Sequence, residues 1–245
     1  MSTTSPTLMR RGKRYKEAAK VIDRNKLYAP EEALQLLKES AKAKFDETVE
    51  LHLKTRADPR HADQLIRSVV MLPHGTGKNQ RVLVFAQGEG AVLAKEAGAE
   101  YIADDELIQR IEKEGWVEFD VAIATQEMMG SIGRLGRTLG RRGLMPNPRA
   151  GTVVQANDIP KAIKDAKGGR QEFRMDRNGI IHMSIGKVSF TLESLKDNLA
   201  ASLEAVIRER PDGVKGELFK SIALSTTMGP SARLDLVEAQ NLKLN

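Results

Sequence analysis

Two kinds of strand patterning occur in this chain, and they belong to different sheet environments. From 47 to 55, ETVELHLKT alternates: Val49, Leu51 and Leu53 are apolar, whereas Glu50, His52 and Lys54 are polar or charged. A period of two with one wet side is the signature of an antiparallel sheet packed on one face only. Further on, RVLVFA (81–86) and VAIAT (121–125) run apolar without interruption. Strands of that kind are buried on both faces, as in a parallel sheet covered by helices.

The order of the two patterns organises the rest. A helix is expected over 27–41 (LYAPEEALQLLKESA), with Pro30 and two glutamates suited to a first turn and Ala33, Leu34, Leu37 and Ala41 on one face. RSVVML (67–72) follows the alternating strand as another strand. Then comes the block of apolar strands and helices: RVLVFA, AVLAKEAGA, YIA, DELIQRIEKEG, VAIAT, TVV and IPKAIKDAKGG. After it the antiparallel style returns. QEFRMD and GIIHMSIGKV flank an Arg177–Asn178–Gly179 turn, a hairpin signal, and a helix of about Leu192 to Glu209 precedes a last strand, LFKSIALSTT. The expected fold class is therefore α+β with two domains. A discontinuous antiparallel α+β domain (1–74 and 168–245) carries an inserted Rossmann-like α/β domain (75–167). The crossings fall near PHGTGK (73–78) and Lys167–Gly168–Gly169, so Gly75, Gly77, Gly168 and Gly169 are candidate hinge residues.

Composition excludes several chemistries. Cysteine is absent, which removes disulfides, thiolate catalysis and cysteine metal sites and suits a cytosolic home. His52, His61, His74 and His182 are scattered without metal-ligand spacing, so no metal is expected. No apolar run approaches the ~20 residues that span a bilayer, so no membrane partner is expected. The N-terminal MSTTSPTLMRRGKRYK lacks the apolar core of a secretory signal and reads as a basic, partly disordered arm. Few aromatics imply an aliphatic core, and a formal charge of +6 favours polyanionic partners.

An α/β block invites a nucleotide, and QGEGAVLAKEAG stands after a strand and before a helix. Gly88 and Gly90 supply the first two glycines of a dinucleotide fingerprint, but Leu93 stands where the third belongs. Asp104 and Asp105 lie about where a ribose-binding acid would fall. HGTGKN and SIGKVS lack the spacing that wraps phosphates, and no GxSxG elbow occurs. No catalytic residue and no cofactor are expected; a nucleotide-dependent enzyme using the Gly88–Gly90 turn is the alternative from another class.

Three stretches carry residues suited to RNA. In AKFDETVELHLKTR, Lys44 offers a charge and Phe45 a ring that either stacks on a base or closes the helix–strand junction as core. In ALSTTMGPSARL, Ser225, Thr226 and Thr227 are consecutive hydroxyls. Met228 is an adaptable apolar contact, and Gly229 permits a close backbone approach; the same residues also read as a strand ending in a Gly-Pro turn. The third stretch, from Arg170 to Lys187, carries Arg174, Arg177 and Lys187, a charge run equally expected of a solvated hairpin.

Together with the LPHGTGK and LGRRGLMPNPRAGTV segments, KFDETVELHLK, GIIHMSIGKVSF and STTMGPS stand in colinear order, and the likeness runs from about Gly12 to Ala232. In that order they resemble the large-subunit ribosomal protein of the L-one family, which forms the mobile stalk beside the tRNA exit site. The resemblance implies two domains, the first built from both chain ends, with the specific rRNA contact on that first domain. It implies a binding strip on Lys44, Phe45, Glu50, Ser221, Thr227, Met228 and Gly229, with Thr226 and Ser231 as additions; from the third stretch, Arg174 and Lys187 are added as binding residues through phosphate contacts. The partners it implies are large-subunit rRNA, deacylated tRNA at the exit site and the protein's own operon mRNA, which bacterial members repress. It further implies a monomer within the large subunit of a bacterial-type cytoplasmic ribosome. A free-standing RNA regulator never resident in ribosomes is the nearest competing role.

One segment stands apart. GRLGRTLGRRGLMPNPRAGT (133–152) carries Arg134, Arg137, Arg141, Arg142 and Arg149 with no acid. Gly133, Gly136, Gly140 and Gly143 recur three or four residues apart, which suggests helical turns packed closely against a neighbour. Its arginines are expected to form an auxiliary electrostatic contact to RNA or passing tRNA.

Overall fold

The computed structural model describes residues 12–23 and 25–242. In chain order the elements are α1 (Lys13–Val21), β1 (Leu27–Tyr28), α2 (Pro30–Ser40), β2 (Thr48–Thr55), β3 (Arg67–Met71), β4 (Val82–Phe85), α3 (Glu89–Glu96), β5 (Tyr101–Ile102), α4 (Asp105–Glu114) and β6 (Val121–Thr125). They continue as α5 (Met129–Ile132), α6 (Gly136–Arg142), β7 (Val153–Val154), α7 (Ile159–Lys167), β8 (Arg170–Arg174), β9 (Ile180–Lys187), α8 (Leu192–Arg208), β10 (Phe219–Thr226), β11 (Ser231–Leu234) and α9 (Leu236–Gln240). The chain is mixed α+β and divides into two compact units, Met1–Gly77 with Gln171–Asn245, and Lys78–Arg170. The arm expected over 1–16 lies mostly outside the described residues; its last part, from Lys13, is the first turn of α1.

In the first unit, a five-stranded sheet has the order β1-β11-β10-β2-β9, antiparallel except for β1 beside β11. The alternation in β2 fits this sheet: Val49, Leu51 and Leu53 are fully buried against α2 and α8, which lie on one face. The opposite face of β2 carries Thr48, Glu50, His52 and Lys54, each partly exposed. The helix expected from Leu27 begins only at Pro30. Proline holds the residue before it out of the helical region, and Ala29 is extended (φ −60°, ψ 147°), which leaves Leu27 and Tyr28 free to pair with β11.

The expected hairpin around Arg177–Asn178–Gly179 is only half formed. The turn is tight, because the Asp176 carboxylate accepts from Asn178 N and Ile180 N at 2.8 and 2.7 Å. The strand before it pairs elsewhere: β8 joins β3 in a separate two-stranded sheet, and Met175 alone bridges to Ile181. The closing Gly229–Pro230 turn does not end the sheet either, because β11 returns antiparallel to β10.

In the second unit, a parallel sheet of order β5-β4-β6-β7 is covered on both faces. Leu83, Phe85, Ala122 and Ala124 pack with Ile108, Ile111, Ile132, Leu135 and Leu139 on one side. Val82, Val84 and Ile123 pack with Ala94, Ile159, Ala162 and Ile163 on the other. Burial on both sides is why these strands read as unbroken apolar runs.

The glycine–arginine segment is largely helical, running from α5 through a 3-10 turn at Gly133–Leu135 into α6. Ile132, Leu135 and Leu139 turn inward and are essentially buried. The close packing expected of its glycines is not found. A Cβ added at Gly133, Gly136 or Gly140 would meet nothing within 4 Å, because these glycines lie on the outer side. Gly143 ends the helix in the left-handed conformation (φ 72°), as helix C-termini favour.

Candidate nucleic-acid interface

Between α2 and β2 the chain turns through Ala43–Asp46, and between β10 and β11 it turns through Thr227–Pro230. The two turns are joined by one buried carboxylate. Glu47 is only 3% exposed; its Oε1 accepts from Ala43 N at 3.1 Å and its Oε2 from Met228 N at 3.0 Å. Thr48 and Thr227 complete the clamp, with Thr48 N donating to Thr227 Oγ1 at 2.9 Å and Thr227 N donating to Thr48 O at 3.1 Å. Lys187 reaches the same edge from the end of β9 and donates to Thr48 Oγ1 at 3.0 Å.

This clamp presents two apolar side chains to solvent: Phe45 is 55% exposed and Met228 52%. An exposed phenyl ring between Lys44 and Asp46 is not a core cap, so the core reading of Phe45 falls away. Lys44, Thr227, Ser221 and Ser231 are exposed as well. On the sheet, Ser225 pairs with Glu50 and with Ser231, and a bulge between Phe219 and Ser221 sets Ser221 beside Lys54. Lys44, Phe45, Glu50, Ser221, Thr227, Met228, Ser231 and Lys187 thus all belong to the five-stranded sheet or its turns.

Other sequence-selected residues are placed differently. Thr226 is 3% exposed and points inward, because side chains of a strand alternate, so three consecutive hydroxyls cannot share one face. Its Oγ1 has no hydrogen-bond partner among the described residues. Gly229 also has an internal reason: a Cβ there would come 2.3 Å from Thr226 Oγ1. Its smallness thus relieves a collision inside the protein, whatever it also permits to a partner. Arg174 is exposed but lies on β8, in the two-stranded sheet. Arg134, Arg137, Arg141, Arg142 and Arg149 are exposed on the second unit, with Arg134 3.7 Å from Glu112.

The hinge candidates also separate. Gly75 is held within the first unit, where its carbonyl accepts from Asn198 Nδ2 at 3.0 Å. Gly75, Gly77 and Gly169 all have the positive φ that glycine alone adopts freely (71°, 71° and 108°), and Gly77 and Gly169 sit within two residues of the unit boundaries. Gly168 has ordinary φ, but a Cβ there would lie 2.9 Å from Lys164 O.

The glycines of the QGEG turn are explained without a ligand. Gly88 has φ 58°, and a Cβ on Gly90 would crowd Ala86 and Ile159 at 3.1 and 3.2 Å. Asp104 caps α4, accepting from Leu107 N at 2.8 Å.

Sequence reasoning missed Glu47 and the pairing of His52 with His182. The signal for Glu47 was present, since it shares the inward parity of Val49, Leu51 and Leu53. Nothing in the sequence shows that His52 and His182 are cross-strand neighbours.

The model of the ribosomal protein L1p/L10e family matches residues 37–230, which include both turns of the clamp. The chain belongs to the ribosomal protein L1p/L10e family. Among its L1-family relatives, the large ribosomal subunit protein uL1 of Chloroflexus aggregans is 56% identical over 233 residues, covering 95% of this chain and 98% of the relative. Those of Chloroflexus aurantiacus and Thermomicrobium roseum are 55% and 54% identical, over 95% and 92% of this chain. The family match spans the second unit entirely and ends just before Ser231.

Proposed function

We propose that this L1-family protein is a component of the large ribosomal subunit and binds large-subunit rRNA through the clamp and the open face of the five-stranded sheet. The observation that carries this reading is the clamp itself. A buried carboxylate ties together two turns, one carrying an exposed phenyl ring beside Lys44 and the other an exposed thioether beside Thr227. Single exposed apolar side chains are ordinary, but a ring and a thioether on two turns tied by one buried carboxylate offer a paired apolar feature suited to RNA. A ring beside a lysine suits a splayed base or ribose with its phosphate, and surface hydroxyls suit 2′-OH groups. The names of the relatives support the ribosomal assignment.

Recognition is by shape: the preformed turns match one RNA fold, and peripheral cations raise affinity through phosphates. On this reading the Lys78–Arg170 unit is an inserted Rossmann-like domain, and Gly75, Gly77, Gly168 and Gly169 mark the connections about which it moves. Its arginines make an auxiliary contact to deacylated tRNA leaving the exit site, as expected of a mobile stalk. The same face binds a similar fold in the protein's own mRNA and represses its translation.

The test is binding to large-subunit rRNA fragments over a salt series, with tRNA as competitor, joined to sedimentation of cell lysate. Tight, fragment-specific binding and co-migration with the large subunit are expected. Salt-sensitive binding with no preference among fragments would reject the specific face, and migration apart from ribosomes would favour a free RNA regulator.

A further inference from the structure

The open face of the five-stranded sheet carries a row of titratable groups outside the clamp. His52 on β2 and His182 on β9 face each other across the strands, with Nδ1 atoms 2.8 Å apart and ring planes at 67°. Each ring has an acid behind it. His52 Nε2 is 3.0 Å from Ser225 Oγ and 3.8 Å from Glu50, and His182 Nε2 is 3.8 Å from Asp176.

Counting donors orders this row. With both rings neutral, one arrangement gives every ring nitrogen a complementary neighbour. His52 donates Nδ1–H to His182 Nδ1, His182 turns Nε2–H towards Asp176, and His52 Nε2 accepts from the Ser225 hydroxyl. An added proton then enters at His52 Nε2, beside Glu50, and leaves the shared Nδ1 contact intact. A second proton would set N–H against N–H across 2.8 Å. The pair therefore takes one proton and resists two.

We propose that the His52–His182 pair is a one-proton contact site for RNA phosphate, so that docking of RNA on this face takes up a proton and tightens as pH falls through the histidine range. This rests on the reading of the sheet face as the RNA surface. In the free protein, burial, helped by the neighbouring His182, depresses the proton affinity of His52, and Glu50 opposes the shift. Phosphates brought to the face raise that affinity again, because negative potential favours the charged ring. The proton also offsets Glu50, a carboxylate otherwise turned towards a polyanion.

The remaining charged groups around the pair are placed as follows. Lys54, two residues along β2, donates to the Asn178 carbonyl. Arg233 on β11 stands opposite Ala223, which in turn opposes His52. Lys187 is engaged with Thr48 at the far end of β9. On β9 the outward neighbours Ile180 and Ser184 are uncharged, and Gln171 meets Ser184 with its amide. Asp176 is held anionic by the Ile180 and Asn178 N–H groups.

The test is the dissociation constant of the intact protein for a large-subunit rRNA fragment between pH 5.5 and 8.5 at fixed ionic strength. Alongside it, NMR titration of the His52 ring is followed with and without that RNA. With one proton linked, affinity is flat above the bound-state pKa and flat again below the free-state pKa. Between the two it rises by at most about tenfold per pH unit. A rise of roughly three- to tenfold, an upward shift of the His52 titration on RNA binding, and loss of the rise in both His52→Gln and His182→Gln support the proposal. A pH-independent affinity overturns it, as does a slope that survives in both variants, which would place the proton on the RNA. Absence of fragment binding at every pH would instead defeat the RNA reading of the face.

Discussion

Replacing Glu47 by glutamine tests whether the clamp is what makes the RNA face. The two side chains have almost the same shape, but the amide keeps only one oxygen. Each carboxylate oxygen accepts a different backbone N–H, one from Ala43 and one from Met228. Glu47→Gln must therefore set its NH2 against one of these N–H groups, whichever way the amide is turned. Losing one charge-assisted bond and stranding a donor costs about 2–3 kcal/mol. For a unit of this size that corresponds to a fall of roughly 5–10 °C in Tm. One of the two turns is released, so affinity for the rRNA fragment should drop by at least about tenfold, or 1.4 kcal/mol. The sign is what decides. Glu47→Gln removes a negative charge near a polyanion, and charge alone would strengthen binding. Weaker binding measured beside a retained fold, by fluorescence titration and circular dichroism, is expected. Binding as tight as or tighter than the wild type would refute the positional role of Glu47.

Thr226→Val keeps the shape of the side chain and removes a buried hydroxyl with no partner, so it should stabilise the protein by about 1 kcal/mol in denaturant unfolding. Gly229→Ala should destabilise by about 1–3 kcal/mol, since its Cβ would meet Thr226 Oγ1 at 2.3 Å. Calorimetry of the free protein, without RNA, checks that this loss is internal. Phe45→Ala should leave Tm nearly unchanged, because the ring is 55% exposed, and should cost on the order of 1–3 kcal/mol in fragment binding. Arg174→Ala should reduce the salt slope of RNA binding by about one unit without changing the preferred fragment.

The features legible in the sequence were those set by local periodicity. The alternation through Val49, Leu51 and Leu53 and the unbroken runs at Val82–Phe85 and Val121–Thr125 reported how each strand is buried. Pairing partners were not legible, because they depend on residues far away along the chain. The Asn178–Gly179 turn suggested a hairpin, yet β8 found β3. Counting hydroxyls made Thr226 a contact, whereas strand parity turns it inward. In the glycine–arginine segment the spacing did suggest helical turns, but the packed stripe was assigned to the glycines, whereas Ile132, Leu135 and Leu139 form it and the glycines face outward. At the candidate site, exposed groups such as Phe45 and Met228 could be named from their neighbours. Glu47, which ties their two turns together, shares the inward parity of Val49, Leu51 and Leu53, but its partner Met228 lies too far along the chain to be read from sequence.

Glu47 and Met228 stand 181 residues apart in the chain. Synthesis proceeds from the N-terminus, so Lys44 and Phe45 emerge long before the turn that secures them. A nascent or prematurely ended chain lacking β10 and β11 would offer the first half of the surface without the second, and without the strand that seats β2. Such a fragment would carry the basic charge of the protein but not its shape. On the proposed reading of this face, the surface offered to RNA is therefore complete only once the last strands of the chain have been made.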